Sequence, residues 1–221
     1  MADEWGSGAQ ALRATTKSRC PTLKGKMNNQ YKTIISLCDY SGIWSQPYLD
    51  AGYKVIRADL ASGSDVRLFK FPGKVHGIIA QPPCTHLAGS GARWWAKKGQ
   101  AALLEALAIV DACLRIVTVS QPEWWVLENP VGRLGDYLGA PAFYFDPCDY
   151  GTLGGNEDAY TKKTCLWGKF APPMPLFVGE LTAVAPVLGS KMHILPPSPE
   201  RARLRSMTPE GFARAFFMVN K

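Results

Sequence analysis

Cys84 ends the run Gln81-Pro82-Pro83-Cys84, directly after a short apolar stretch. The two prolines fix the backbone, so the thiol is held rigidly at a strand terminus and turned into the cleft there. A cysteine on such a turn, beside polar groups, is a candidate nucleophile whose pKa can fall from roughly 8.5 towards neutrality. Glu128 follows the apolar run 124–127 and precedes Asn129-Pro130. A partly buried carboxyl group at a cleft edge has a raised pKa, which suits a proton donor. Gly42 after the first apolar run and Asp59 at the end of the second suit a nucleoside: glycine lets backbone approach the ligand, and the carboxylate can hold ribose hydroxyls. Asp65, within Ser64-Asp65-Val66-Arg67, adds an acceptor where the next loop faces the same pocket. Each residue also has a plainer reading. A buried cysteine is commonly a small hydrophobe, Glu128 can cap turn amides, and Gly42 with Asp59 can be a structural turn beside an exposed acid.

The elements that must position these groups follow from the pattern. Thr33–Leu37 (TIISL) reads as a strand, Ser41-Gly42 as a turn, 48–51 as part of a helix closed by Gly52, and 53–58 (YKVIRA) as a second strand. Gly77–Ala80 (GIIA) is a short buried strand ending in the proline turn. Leu103, Leu107, Val110, Leu114 and Val117 then recur at helical spacing. Residues 124–127 (WWVL) form the next strand, ending in a polar turn, Glu128-Asn129-Pro130. Alternating strands and helices predict a doubly wound, mostly parallel α/β sheet of the Rossmann-like type, with its site at the carboxyl ends of the strands. From 132 to about 205 the sequence is rich in Gly, Pro and aromatics, with one strand-like piece at 164–167 (TCLW). A last helix is predicted with Thr208 as cap, Pro209 at its first position, and Phe212, Phe216 and Val219 on one face.

Composition sets the frame. The 221 residues are 47% hydrophobic and 19% charged, enough for one core and hardly for two. We expect an arm over 1–30 and one domain over 31–221. No apolar run nears the roughly 20 residues that span a bilayer, and the polar start is unlike a signal peptide, so a soluble, cytoplasmic protein is expected. The six cysteines show no C-x-x-C spacing, and the three histidines lie at no ligand spacing from a cysteine pair, so reduced thiols and no metal are expected. Residues 1–30 carry a net +3, 190–221 carry +4, and the body is neutral, which together make the +7. Basic ends fit a partner with phosphates, or serve as solubilising tails.

The order of these motifs resembles the cytosine-5 DNA methyltransferase family over residues 33–131, about half the chain. The family's opening motif is similar to Cys38-Asp39-Tyr40-Ser41-Gly42, its second to Asp59, its third to Asp65-Val66-Arg67, its nucleophile motif to Gln81-Pro82-Pro83-Cys84, and its glutamate block to residues 114–130. The resemblance implies S-adenosylmethionine as cofactor and cytosine in DNA as target, the base being flipped out or single-stranded. On it, Cys84 adds to C6, Glu128 protonates or hydrogen-bonds N3, Asn129 orients the cysteine turn, and Lys163 meets the cytosine O2 or a phosphate. The cofactor is held by Tyr40, Ser41, Gly42, Ile43, Asp59, Leu60, Asp65, Val66 and Pro82. Departures are equally specific: Ile43-Trp44-Ser45 stand where the family has further glycines, ENP stands for ENV, the arginine motif has only Thr161-Lys162-Lys163-Thr164 as counterpart, and Ser206-Met207-Thr208-Pro209 replaces the closing motif. Fewer than forty residues separate Trp167 from Ser206, where family members carry a target recognition domain. The shortness is similar to homologues carried by phages, in which case the compartment is the host cytoplasm. The loop 86–98 offers Arg93, Trp94, Lys97 and Lys98 for nucleic-acid contact. A nucleotide or RNA substrate, a modified sulfonium donor, and a catalytically silent nucleic-acid-binding homologue are the alternative readings.

Overall fold

Five consecutive buried residues, Thr33–Leu37, form β1, and that unbroken burial is what a strand covered on both faces requires. The structure, a computed structural model, describes residues 29–71, 73–177, 180–181 and 183–221. The expected arm therefore lies, but for its last two residues, outside the described residues. After β1 come α1 (Gln46–Asp50), β2 (Lys54–Ala58), β3 (Gly77–Ala80), α2 (Trp95–Ser120), β4 (Trp124–Pro130), α3 (Gly135–Leu138), β5 (Phe143–Phe145), α4 (Gly151–Gly154) and β6 (Thr164–Lys169). A two-stranded ribbon, β7 (Leu176–Phe177) with β8 (Glu180–Leu181), precedes α5 (Lys191–Ile194), α6 (Glu200–Ser206) and α7 (Glu210–Val219).

The main sheet has six strands in the order β2-β1-β3-β4-β6-β5. The first four are mutually parallel, while β6 runs antiparallel between β4 and β5. The sheet is thus mixed α/β rather than wholly parallel. Alternate strand residues feed two cores. Ile35, Leu37, Ile78, Ala80 and Leu127 pack under α2; Ile34, Ile79, Val126 and Leu166 pack on the other face with Trp44, Tyr48, Phe212 and Phe216. The helical register expected over 103–117 is present, with Val110 buried against the first core. Helix α2 is broken at Gly99, which takes φ +74.

Three local expectations are corrected. Glu128-Asn129-Pro130 is strand, not turn, because antiparallel β6 continues the ladder past the end of β3, pairing Glu128 with Leu166, Asn129 with Cys165 and Pro130 with Thr164. Helix α7 starts one residue later than predicted, with Pro209 as its extended cap residue, and Thr208 does not cap it. Its cap comes from afar: Asp158 accepts from the Gly211 amide at 2.8 Å. The segment 132–205 also contains β5, two residues shorter than β1 and with too little pattern to be seen alone. No described helix is long and apolar enough to cross a membrane.

Candidate active site

The chain moves outward from β1 in both directions, to β2 on one side and β3 on the other, so the carboxyl ends of β1 and β3 open a crevice between diverging connections. The turn after β1 is built on Asp39, a residue the motif reading named without a role. Its buried carboxylate accepts from Ser36 Oγ, Ser45 Oγ and the Gly42 amide, each at 2.8 Å. Gly42 sits beneath the Arg57 guanidinium at φ +73, a left-handed conformation that glycine adopts without strain. Cys38, directly before, is held at φ +55. Trp44, standing where the family has glycine, is fully buried with its ring edge-on to Phe212 and Phe216 at 4.9 and 5.2 Å. It anchors α7, leaving Ile43 to face the crevice.

Two cavities follow from this turn. One of about 390 Å³ is lined by Tyr40, Ser41, Ile43, Arg57, Asp59, Arg203 and others. A larger one of about 810 Å³ runs from Cys38, Tyr40 and Asp59 past Cys84 to the loop bearing Arg93, Trp94 and Lys98. Asp59 uses one oxygen to accept from the Ala61 amide at 2.8 Å, and Leu60 beside it is exposed. Five residues of the expected cofactor set, Gly42, Leu60, Asp65, Val66 and Pro82, line neither cavity. Asp65 clasps its neighbour Arg67 at 2.6 Å, which lowers its carboxyl pKa, and Val66 is buried in the core under α2.

Cys84 is half-buried at the end of the proline turn. That turn is tied down from three sides. Asn129, 1% exposed, donates to the Pro82 carbonyl at 2.8 Å, and its own Oδ1 has no partner. Gln81 and Thr208 hydrogen-bond side chain to side chain at 3.1 Å. Downstream, Arg133 donates to the His86 carbonyl at 2.8 Å and covers the Trp95 ring at 4.5 Å. Residues after β3 and β4 are thereby locked to each other.

The charges converge on the thiol. Burial pushes the Cys84 thiol above its ordinary value; the Lys162 ammonium pulls it back, the Glu128 carboxylate pushes it up, and Arg205 opposes. Burial likewise raises Glu128, and Lys162 again opposes. The expected fall of the thiol towards neutrality does not occur in this arrangement, because desolvation outweighs the two cations. Lys162 also donates to the Arg205 carbonyl at 2.9 Å, which holds it over the site. Its neighbour Lys163, the residue expected there, is 61% exposed, points instead to Asp146 at 3.8 Å, and bears on Cys165, whose thiol burial raises to about 11.

Neither a protein-family model nor a curated protein sequence matches the chain. Among solved structures, a prophage-encoded E. coli chain assigned by name to the DNA modification methyltransferases is similar at 16% identity with a TM-score of 0.42. The similarity covers 62% of this chain and 46% of that one, so this chain spans less than half the length of its neighbour.

Sequence reasoning missed the second wall of the crevice. Helix α6 lays Arg203 and Arg205 along the large cavity, joined by Arg201 at its start. Arg203 is bonded to Glu200, and Arg205 reaches Ser90 Oγ across the opening at 2.9 Å. The alternation of Arg at 201, 203 and 205 was a visible signal, but it fits neither helix nor strand amphipathicity by itself. Of the nucleic-acid set, Trp94 is 46% exposed, with Arg93 and Lys97 over its ring at 5.2 and 5.9 Å; Lys98 donates to the Thr85 carbonyl at 3.1 Å.

Proposed function

We propose that the chain transfers a methyl group from S-adenosylmethionine to C5 of cytosine in DNA, with Cys84 as covalent nucleophile. The observation that carries this reading is that Cys84 and Glu128 stand at the carboxyl ends of the paired strands β3 and β4, with Asn129 bonded to the Pro82 carbonyl between them.

The residues lining the smaller cavity suit the cofactor. Tyr40 offers a ring face for the purine, Asp59 has a carboxylate oxygen for ribose hydroxyls, and Arg57 is a cation for the amino-acid carboxylate. Gly42, at φ +73, turns the chain between Ser41 and Ile43, which line that space. When bound, S-adenosylmethionine supplies an electrophilic methyl group on a positively charged sulfur. The protein's part is to make C5 electron-rich. The Cys84 thiol loses its proton to solvent and its sulfur adds to C6; the displaced electron pair is delocalised over C5 and towards N3, where protonated Glu128 donates. After C5 has gained its methyl group, its hydrogen leaves as a proton to water, the C5–C6 double bond re-forms, the sulfur departs as thiolate, and N3 returns its proton to Glu128. Lys162 moderates both groups, holding the thiol and the carboxyl nearer to their ordinary values than burial alone would leave them.

The test is direct. Protein incubated with DNA and S-adenosylmethionine, then digested to nucleosides, should yield 5-methylcytosine by mass spectrometry, with dCMP and RNA as parallel substrates. An oligonucleotide carrying cytosine fluorinated at C5 cannot lose a proton there and should stay bonded to the protein on a denaturing gel. Cys84→Ala should abolish both signals; retention of either would mean that the nucleophile is another residue.

A further inference from the structure

We infer that the crevice over Cys84 is built to grip an unpaired DNA strand from both sides, with Arg201, Arg203 and Arg205 of α6 on one wall and Arg93 and Lys98 on the other. This rests on the proposed reaction and names the form of its substrate.

Three observations carry it. The cavity beside the thiol is lined by these five cations against two acids, Asp59 and Glu200, of which Glu200 is already held by Arg203. Trp94, on the same lining, is half-exposed with cations against its ring, the arrangement on which an unpaired base stacks. The walls also meet: Arg205 donates to Ser90 Oγ at 2.9 Å across the opening, so both sides lie within reach of one strand. A duplex turns its phosphates to one surface and hides the faces of its bases. A single strand presents phosphates to two walls and leaves a base free to stack or to reach Cys84. The cations are also ready to change partners. Arg205 and Lys98 are satisfied by neutral oxygens, and Arg201 Nε is buried without an acceptor. Phosphate oxygens would supply stronger, charge-assisted bonds than these.

The full chain is titrated, by fluorescence anisotropy, with a labelled cytosine-containing oligonucleotide as single strand, as duplex and as RNA, and each is then used as methyl acceptor. The single DNA strand should bind at least tenfold tighter than the duplex at the same salt and be modified faster. In R201Q/R203Q/R205Q, log affinity against log salt should flatten by roughly 2, from about 0.7 per lost phosphate contact on a single strand. Trp94→Ala should weaken single-strand binding about tenfold while leaving the salt slope unchanged. Thermal melting separates misfolding from lost contact, and Arg203→Gln alone, exposed on α6, is the milder variant to rely on if the triple variant melts early. Tighter binding and faster modification of duplex would overturn the inference while leaving the reaction standing, as would preference for RNA. Single-strand binding with the expected salt slope, but no methyl transfer and no covalent trapping, would overturn the reaction and leave the grip standing.

Discussion

The two walls of the crevice are held by different physics. The wall from β1 to β4 hangs on strand ends whose apolar side chains are buried on both faces of the sheet, so its turns emerge at fixed heights and need only local bonds, such as those of Asp39, to be shaped. From 131 onward, β5, β6 and α7 bury Phe145, Leu166, Phe212 and Phe216 in the second core, while the short helical turns between them are secured by polar bonds between residues far apart in sequence: Gln81 to Thr208, Asp158 to the Gly211 amide, Lys162 to the Arg205 carbonyl, Tyr48 to the Asn220 carbonyl. The first wall is cooperative with the core. The second shares that core through β6 and α7 but is pinned at points between them, and each pin is a place where a turn can be released without unfolding the sheet.

Trp44 joins the two systems, and its removal is the severest way to break the contrast. Trp44→Ala strips a fully buried indole from between the turn after β1 and α7, and should cost about 3–5 kcal/mol of stability by chemical denaturation. A loss below about 1 kcal/mol would mean that α7 is not fastened to the sheet through this ring. Asp158→Ala removes only a pin. With the Gly211 amide left unpaired at the start of α7, about 1 kcal/mol should go, and α7 amides should exchange hydrogen faster while those of β1 and β3 do not. Equal acceleration in the sheet would show the two walls to be one cooperative unit.

The same contrast decides what the sequence discloses. Strands Thr33–Leu37 and Gly77–Ala80 are found from sequence with their observed bounds, because burial of a whole strand leaves an unbroken apolar run. The turns that follow them, with Gly42 and Cys84, are legible for the same reason. Glu128 and Asn129 are legible as the residues that follow the apolar run 124–127 but not as strand, since what extends β4 is the antiparallel partner β6, and pairing across some forty residues has no local signal. Helix α6 and its arginines were hidden among prolines and charges. Asp158, the distant cap of α7, could not be inferred at all: it is buried, its carboxyl raised by desolvation and lowered in part by the Gly211 amide, and nothing adjacent in sequence marks it. The Lys162-Lys163 pair shows the limit most sharply, because neighbouring lysines cannot be told apart until the bonds of each are known.

The pH behaviour of the site sharpens the contrast with a smaller effect, because groups from both walls bear on one thiol. On the proposed reaction, turnover needs Cys84 deprotonated and Glu128 protonated at once, so activity peaks between the raised carboxyl pKa and the raised thiol pKa and falls away on either side. The result is a bell whose two limbs both belong to buried groups. Glu128→Gln removes a negative charge that raises the thiol, so the midpoint for alkylation of Cys84 by iodoacetamide, followed on its peptide by mass spectrometry, should move to lower pH. An unchanged or higher midpoint would mean that the carboxylate does not reach the thiol.

The smallest effect is the most discriminating, because it separates two adjacent residues of the pinned wall. Lys162→Met removes a cation that lowers both Cys84 and Glu128, so the alkylation midpoint should move to higher pH, and both limbs of the activity bell should shift upward with it. Lys163→Met removes a partner of Asp146 on the far side of the backbone, and the Cys84 midpoint should stay in place. Met keeps much of the apolar stem of lysine, so packing is largely preserved and the comparison isolates charge. If Lys163→Met moved the midpoint and Lys162→Met did not, the bond from Lys162 to the Arg205 carbonyl would not be what holds an ammonium over the crevice, and the second wall would have to reach the thiol by another route.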